Sequence, residues 1–207
     1  MPRAFAVLAS VAAAALLATI GSKAHADVYS NESTASYPGN GLGTVGSQTA
    51  WGEVFTAPGG TLDSWTFSVA NVTGSPSNNI EFVVAPWTGS TVGTALYTSA
   101  PVAVGGTDIF SDLTFSGLDL ALTEGVTYVA YLTINGVSSP AYELAMGFSS
   151  TSGPIGDGWM HAADSSYYYS SGNQVTYSAT FNIPEPGSMA LLATGLIGLG
   201  LLRRRHA

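Results

Sequence analysis

The chain contains no cysteine, and between Asp27 and Ile183 it contains no lysine and no arginine. Without thiols there is no disulfide to brace the fold and no cysteine nucleophile. Without lysine there is no Schiff-base chemistry. A body without cations has nothing with which to neutralise phosphates, which excludes nucleic acid as a partner. Attachment to anionic lipid by charge is excluded on the same ground. All five basic residues (Arg3, Lys23, Arg203, Arg204, Arg205) lie in the two ends. Of the thirteen acidic residues one, Glu185, lies in the tail, leaving twelve in the body, so the net charge of -8 understates its acidity. Histidine is almost as scarce. His161 is the only one between the ends, and a Ser-His-Asp hydrolase would have to use it without any Gly-x-Ser-x-Gly turn to hold the nucleophile. A histidine-rich transition-metal site is excluded by count. Stability must come from a hydrophobic core, and roughly 155 residues suffice for one domain.

What is present begins with an N-terminal export signal. Arg3 is followed by an apolar run from Ala4 to Ile20, which closes on Ala24-His25-Ala26, a small-x-small cleavage site. Residues 1–26 therefore read as a signal peptide cut by signal peptidase, with Ala24 and Ala26 as the cleavage residues and Asp27 as the new N-terminus. The competing reading is an N-terminal membrane anchor.

The body reads as strands. Trp65, Phe67 and Val69 alternate with polar residues, and Ile80, Phe82 and Val84 keep the same two-residue spacing of an apolar face. Val126 to Ile134, Tyr142 to Phe148 and Val175 to Ile183 form longer alternating sets, and Ala50 to Thr56 a weaker one. Pro58-Gly59-Gly60, Gly74-Ser75-Pro76, Gly105-Gly106, Asn135-Gly136 and Gly153-Pro154 punctuate them as turns. Short strands at about ten-residue spacing, with no 3.6-residue period, indicate an all-β antiparallel two-sheet β-sandwich of jelly-roll-like type over residues 49–183. The Ser-, Gly- and Asn-rich stretch before it, residues 27–48, reads as an extended leader.

The C-terminal end has three parts in order. Pro184-Glu185-Pro186 is an extended hinge, because two close prolines can neither continue a strand nor start a helix between them. Met189 to Leu202 carries no charge, and Arg203-Arg204-Arg205 follows. The uncharged run makes a helix about 21 Å long, against a hydrocarbon core of about 30 Å. A short transmembrane helix over 189–202 is the expectation, with the arginines holding the extreme end in the cytoplasm. An ordinary tail anchor would share the helix and the arginines but would not need the proline-flanked glutamate.

This layout resembles the PEP-CTERM sorting signal of Gram-negative bacteria over residues 183–207. The resemblance implies that Pro184, Glu185 and Pro186 are a motif read by an exosortase-type processing enzyme and that Arg203 to Arg205 are its stop signal. It also implies a protein exported, held transiently in the inner membrane, and then delivered to the cell surface or extracellular matrix. Family bodies of low charge in exopolysaccharide-making species imply a biofilm-matrix role, and charged residues here are 9% of the chain. The stretch from Gln48 to Asn135 is similar in outline to small sandwich modules of bacterial surface proteins, some of which bind carbohydrate.

Within the body the segment Gly156 to Asn173 is richest in chemistry. Trp159, Tyr167 and Tyr169, near Asn, Gln and Asp side chains, are the candidates for stacking on the C–H faces of a polysaccharide; equally, they can fill a core. Which of the two holds depends on whether the three rings line one exposed strip. Twelve carboxylates could in principle serve a glycosidase, but they are scattered singly, and no catalytic residue is assigned. No cofactor is expected. A structural calcium needs only oxygen ligands, some of which Asp157 and Asp164 could supply, although no D-x-D-x-D-G loop occurs.

Overall fold

The alternation read from the sequence becomes two antiparallel sheets. The computed structural model describes residues 24–31, 41–44, 48–71, 79–105, 109–163, 166–171 and 174–184. Residues Ala26–Ile183 form one compact unit, and Met1–His25 with Pro184–Ala207 is assigned to a second. Among the described residues every regular element is a strand.

The five-stranded sheet is built from β1 (Ala24–Ser30), β14 (Tyr177–Pro184), β3 (Thr61–Asn71) and β7 (Ser111–Ala121), in that order, with β9 (Leu144–Met146) also on β3. The seven-stranded sheet runs β12 (Ser166–Ser170), β11 (Gly156–Ala163), β2 (Ala50–Thr56), β8 (Thr127–Thr133), β4 (Asn79–Pro86) and β5 (Tyr97–Thr98), with β6 (Val102–Ala103) also on β4. β10 (Phe148–Ser149) and β13 (Gln174–Val175) form a separate antiparallel pair.

The two large sheets meet face to face. Phe55 of β2 packs 4.8 Å from Trp65 of β3, and Phe82 of β4 stacks 4.5 Å from Phe115 of β7. Trp65 in turn stacks on Tyr177 of β14 at 5.1 Å. Trp51, Phe55, Leu62, Trp65, Phe67, Phe82, Leu132 and Phe181 are all buried in this core. The outward positions of β3 and β14, Ser64, Thr66, Ser68, Ser178 and Thr180, alternate with them as expected for one wet face.

Two long alternating runs do not form single strands. Tyr142 to Phe148 splits at Gly147 into β9 and β10, and Val175 to Ile183 splits at Thr176 into β13 and β14. The breaks are coupled. The Gly147 N–H donates to the Ser68 carbonyl at 2.7 Å, and the Thr176 N–H donates to the Gly147 carbonyl at 2.8 Å. Tyr142, expected on the apolar face, is 44% exposed.

The expected leader departs from its reading wherever it is described. Residues 27–30 pair within β1, and the Tyr29 ring meets Phe181 edge-on at 5.8 Å. Asn31 and Leu42 are buried. The polar composition of 27–48 hid these three anchors, because each stands alone among Ser, Gly and Asn. No helix among the described residues is long and apolar enough to cross a membrane, and residues 189–202 lie outside them.

Candidate functional site

The β11–β12 hairpin carries the sequence-nominated aromatics, and its register decides which act together. Trp159 pairs with Ser170, Met160 with Tyr169, His161 with Tyr168 and Ala162 with Tyr167. Side chains alternate between faces, so Trp159, His161 and Tyr168 share one face, and Met160, Ala162, Tyr167 and Tyr169 share the other. Tyr167 and Tyr169 are brought together, and Trp159 is separated from them. The single strip of three rings does not form.

On the core-facing side Trp159 packs edge-on against Trp51 at 6.0 Å and Phe148 at 5.1 Å. Its other neighbour is His161, stacked at 4.5 Å, and His161 stacks in turn on Tyr168 at 5.0 Å. His161 Nδ1 lies 2.8 Å from Gln48 Oε1. Burial holds the imidazole below its ordinary pKa, favouring the neutral ring. Tyr168, half exposed, closes the stack toward solvent.

On the outer side of the same sheet Val54, Ala85, Trp87, Val129 and Met160 form a second buried cluster, with Tyr131 and Tyr167 packed against it. Two glycines make room for the tyrosines. A β-carbon on Gly52 would collide with Tyr131 Cβ and the Ala130 carbonyl, and one on Gly158 would stand 2.9 Å from Tyr169 Cε2. Tyr169 also meets Trp87 at 6.0 Å and donates its hydroxyl to the Asp157 carbonyl at 2.8 Å. Burial, and after it Tyr167, pushes the Tyr131 hydroxyl up to about 12. The result is a patch of rings with hydroxyl edges on an outer sheet face, of which Tyr169 offers the most open surface, 42%.

Beneath the hairpin lies a polar group that sequence reasoning missed. Glu53, on β2 between Trp51 and Phe55, is fully buried. Its Oε2 accepts the Val175 N–H at 2.9 Å. Its Oε1 meets no donor in hydrogen-bonding geometry, the Gly158 N–H being near enough only to favour the anion weakly. Burial pushes this carboxyl well above the usual carboxylate range, and Asp157 adds to the effect. No lysine or arginine exists in the body to offset it, which favours the neutral acid. Around it Gln174 accepts the Gly153 N–H at 2.7 Å and donates to the Gly156 carbonyl at 2.8 Å. Asn31 donates to the Val175 carbonyl and accepts the Tyr177 N–H, both at 2.8 Å. The Tyr177 hydroxyl, near the Ile155 and Gly156 backbone, lacks a well-formed partner, and burial with Glu53 nearby raises its pKa.

The remaining nominated residues are dispersed. Ala24 and Ala26 are the first and third residues of β1, and Pro184 is the exposed last residue of β14. Glu185, Pro186, Arg203, Arg204 and Arg205 lie outside the described residues. Asp157 accepts the Thr56 hydroxyl at 2.8 Å, and Asp164 lies outside the described residues. Among the described residues no three His, Asp or Glu side chains gather as metal ligands would.

Fold and hairpin together define an all-β body of two antiparallel sheets whose last strand runs into a proline-flanked glutamate. Residues 182–205 match the PEP-CTERM protein-sorting motif, and the chain carries that motif. The motif implies export and processing by an exosortase. No curated protein matches the chain. Among solved structures the chain is similar to the cysteine protease and lectin-like domains of Cwp84, a surface layer associated protein of Clostridium difficile. The identity is 12% and the TM-score 0.47, over 76% of this chain and 36% of that one.

Proposed function

We propose that this is a non-catalytic protein of the cell surface or extracellular matrix, made with a signal peptide over residues 1–26 and sorted by the tail over 184–207. The body we read as a jelly-roll-like sandwich, and its destination as a biofilm or exopolysaccharide matrix. In this reading the apolar run 189–202 holds the protein in the inner membrane only until an exosortase-type enzyme acts near Pro184-Glu185-Pro186. The observation that carries the reading is the sorting motif at 182–205, which starts on the final residues of β14. The processing motif therefore follows the folded sheet without a linker.

Fractionation of cells with an intact sorting enzyme tests it. A plain anchor needs only the helix and the arginines, so Glu185→Ala should insert normally in either case. Under the sorting reading the variant accumulates uncleaved in the inner membrane. Wild-type surface levels for Glu185→Ala would overturn it. Intact mass adds a second check, since the mature form should start at Asp27 and lack Arg203 to Arg205.

A carbohydrate-binding module is the second reading, supported by the outer patch of Tyr131, Tyr167 and Tyr169. Without cations the body suits a neutral polysaccharide rather than an acidic one. Retention on immobilised neutral polysaccharide, lost in Tyr169→Ala, is the expected result; equal retention of both proteins would remove this reading.

A further inference from the structure

An open sheet ends in strands with unpaired backbone groups, and natural proteins protect them with charge, proline, bulges or brevity. Among the described residues the main paths of the two large sheets end in β1, β7, β5 and β12, and three of these four end strands are protected. β5 has two residues. β7 carries Asp112 and Asp119 and is broken by Gly117 and Asp119, both at positive φ. β1 carries Asp27. The fourth, β12, has none of these devices. It reads Ser-Tyr-Tyr-Tyr-Ser, without charge or proline, and pairs with β11 in unbroken register over all five residues. Among the described residues no strand covers its outer side. Tyr168 and Tyr169, on its two faces, are 51% and 42% exposed.

Charge narrows the choice to β12 and the two-residue β5. With twelve carboxylates and no lysine or arginine between Asp27 and Ile183, two bodies repel each other over most of their surface. Approach is cheapest at a strand that bears no carboxylate. In an antiparallel pairing about Tyr168 the two ends of the strand, residues 166 and 170, lie opposite each other. Antiparallel pairing also sets tyrosine against tyrosine across the new ladder, the kind of cross-strand pair that stabilises sheets.

We propose that β12 is a self-association edge, where a second copy of this chain adds its own β12 antiparallel about Tyr168. The seven-stranded sheet would then continue from one molecule into the next. This goes beyond the sorting reading and stands whether or not the tail is processed.

The absence of cysteine makes the test direct in the full-length chain. Single Ser166→Cys and Ser170→Cys variants, mixed and oxidised with copper phenanthroline, should give covalent dimers, because the register places 166 opposite 170 of the other copy. Ser111→Cys on the β7 edge, with the same tail, should stay monomeric, which separates strand pairing from association through the tail. Ser166→Lys with Ser170→Lys should weaken the dimer at least ten-fold by sedimentation while leaving the melting temperature and near-ultraviolet circular dichroism unchanged. A chain that sediments as a monomer throughout, cross-linking at 166 and 170 no stronger than at 111, or lysine variants that associate like the wild type would each overturn the proposal.

Discussion

Glu53 on β2 reaches Val175 on β13, its Oε2 accepting the Val175 N–H at 2.9 Å while the whole side chain is shut off from water. The contact ties the seven-stranded sheet to the short β10–β13 pair through an acid that has no cation to balance it.

The first prediction is a stability that falls as pH rises. Glu53 has a folded pKa above its unfolded value, so its contribution is fully present below about 4.5 and is lost as pH rises through the folded value. Each pH unit above the unfolded value costs about 1.4 kcal/mol until Glu53 ionises in the fold. Asp157, near Glu53, raises the Glu53 carboxyl further and so widens the pH range of this loss, and the raised Tyr177 and Tyr169 hydroxyls matter only in strong base. His161 opposes it at the acid end: its pKa is lowered, so its share of stability is present above about 6.5 and lost as pH falls. That ring is only partly covered, so its effect is the smaller. Thermal melts from pH 5 to pH 9 should show the melting temperature declining, and Glu53→Gln should flatten the slope. An unchanged slope in the variant would place the proton elsewhere.

Phe181 tests the core. It is fully buried on β14, edge-on to Tyr29 at 5.8 Å and 6.4 Å from Phe55 of the facing sheet. Phe181→Ala should cost about 3–5 kcal/mol in urea unfolding, because neighbours from two sheets cannot close the space. A loss below about 1 kcal/mol would mean that the sheets do not meet here.

Asn31 tests whether the polar stretch before the body belongs to it. Its amide donates to the Val175 carbonyl and accepts the Tyr177 N–H, and it lies within 3.3 Å of Gln174 Oε1. Asn31→Ala should destabilise by about 1–3 kcal/mol through the buried groups left without partners. A neutral outcome in a melting assay would return residues 27–48 to the status of a leader.

Gly52 tests the tyrosine patch. Because the obstacles to a β-carbon there are the Ala130 carbonyl and Tyr131 Cβ on the neighbouring strand, which no side-chain rotation moves, Gly52→Ala must push β2 from β8 and carry Tyr131 with it. A loss of about 1–3 kcal/mol, together with a fall of the Tyr131 phenol from about 12 toward its ordinary 10 in an ultraviolet titration, is expected. An unmoved titration would mean that Tyr131 is not seated on Gly52.

Legibility in the sequence followed how cleanly each strand presents one wet face. β3 and β14 do so, and their alternation is plain; β4 and β8 keep an inward two-residue period although Val83, Ala85 and Val129 on their outer faces are buried as well. β2 reads weakly because both its faces are covered: Trp51, Glu53 and Phe55 point into the core, while Gly52 and Val54 lie beneath the outer cluster. β7 left little signal, since only Phe115 and Leu118 are buried along eleven residues and a bulge interrupts its period. At the hairpin the aromatic richness was visible, but the register that puts Trp159 on one face and Tyr167 and Tyr169 on the other is a tertiary fact. Glu53 did leave a trace, as the one carboxylate on the inward phase of Trp51-x-Glu53-x-Phe55.

β14 is the strand on whose final residues the sorting motif begins, and it is not an edge: β1 holds it on one side and β3 on the other, with pairs from Tyr177↔Phe67 to Asn182↔Thr61. If the mature protein is fastened by its C-terminal end, a tug on the cell wall or matrix pulls along the axis of this strand. The ladders on both flanks are then loaded in shear, all their hydrogen bonds resisting together, where an edge strand would be peeled off one bond at a time. Under such fastening β14 would be the strand that bears the load.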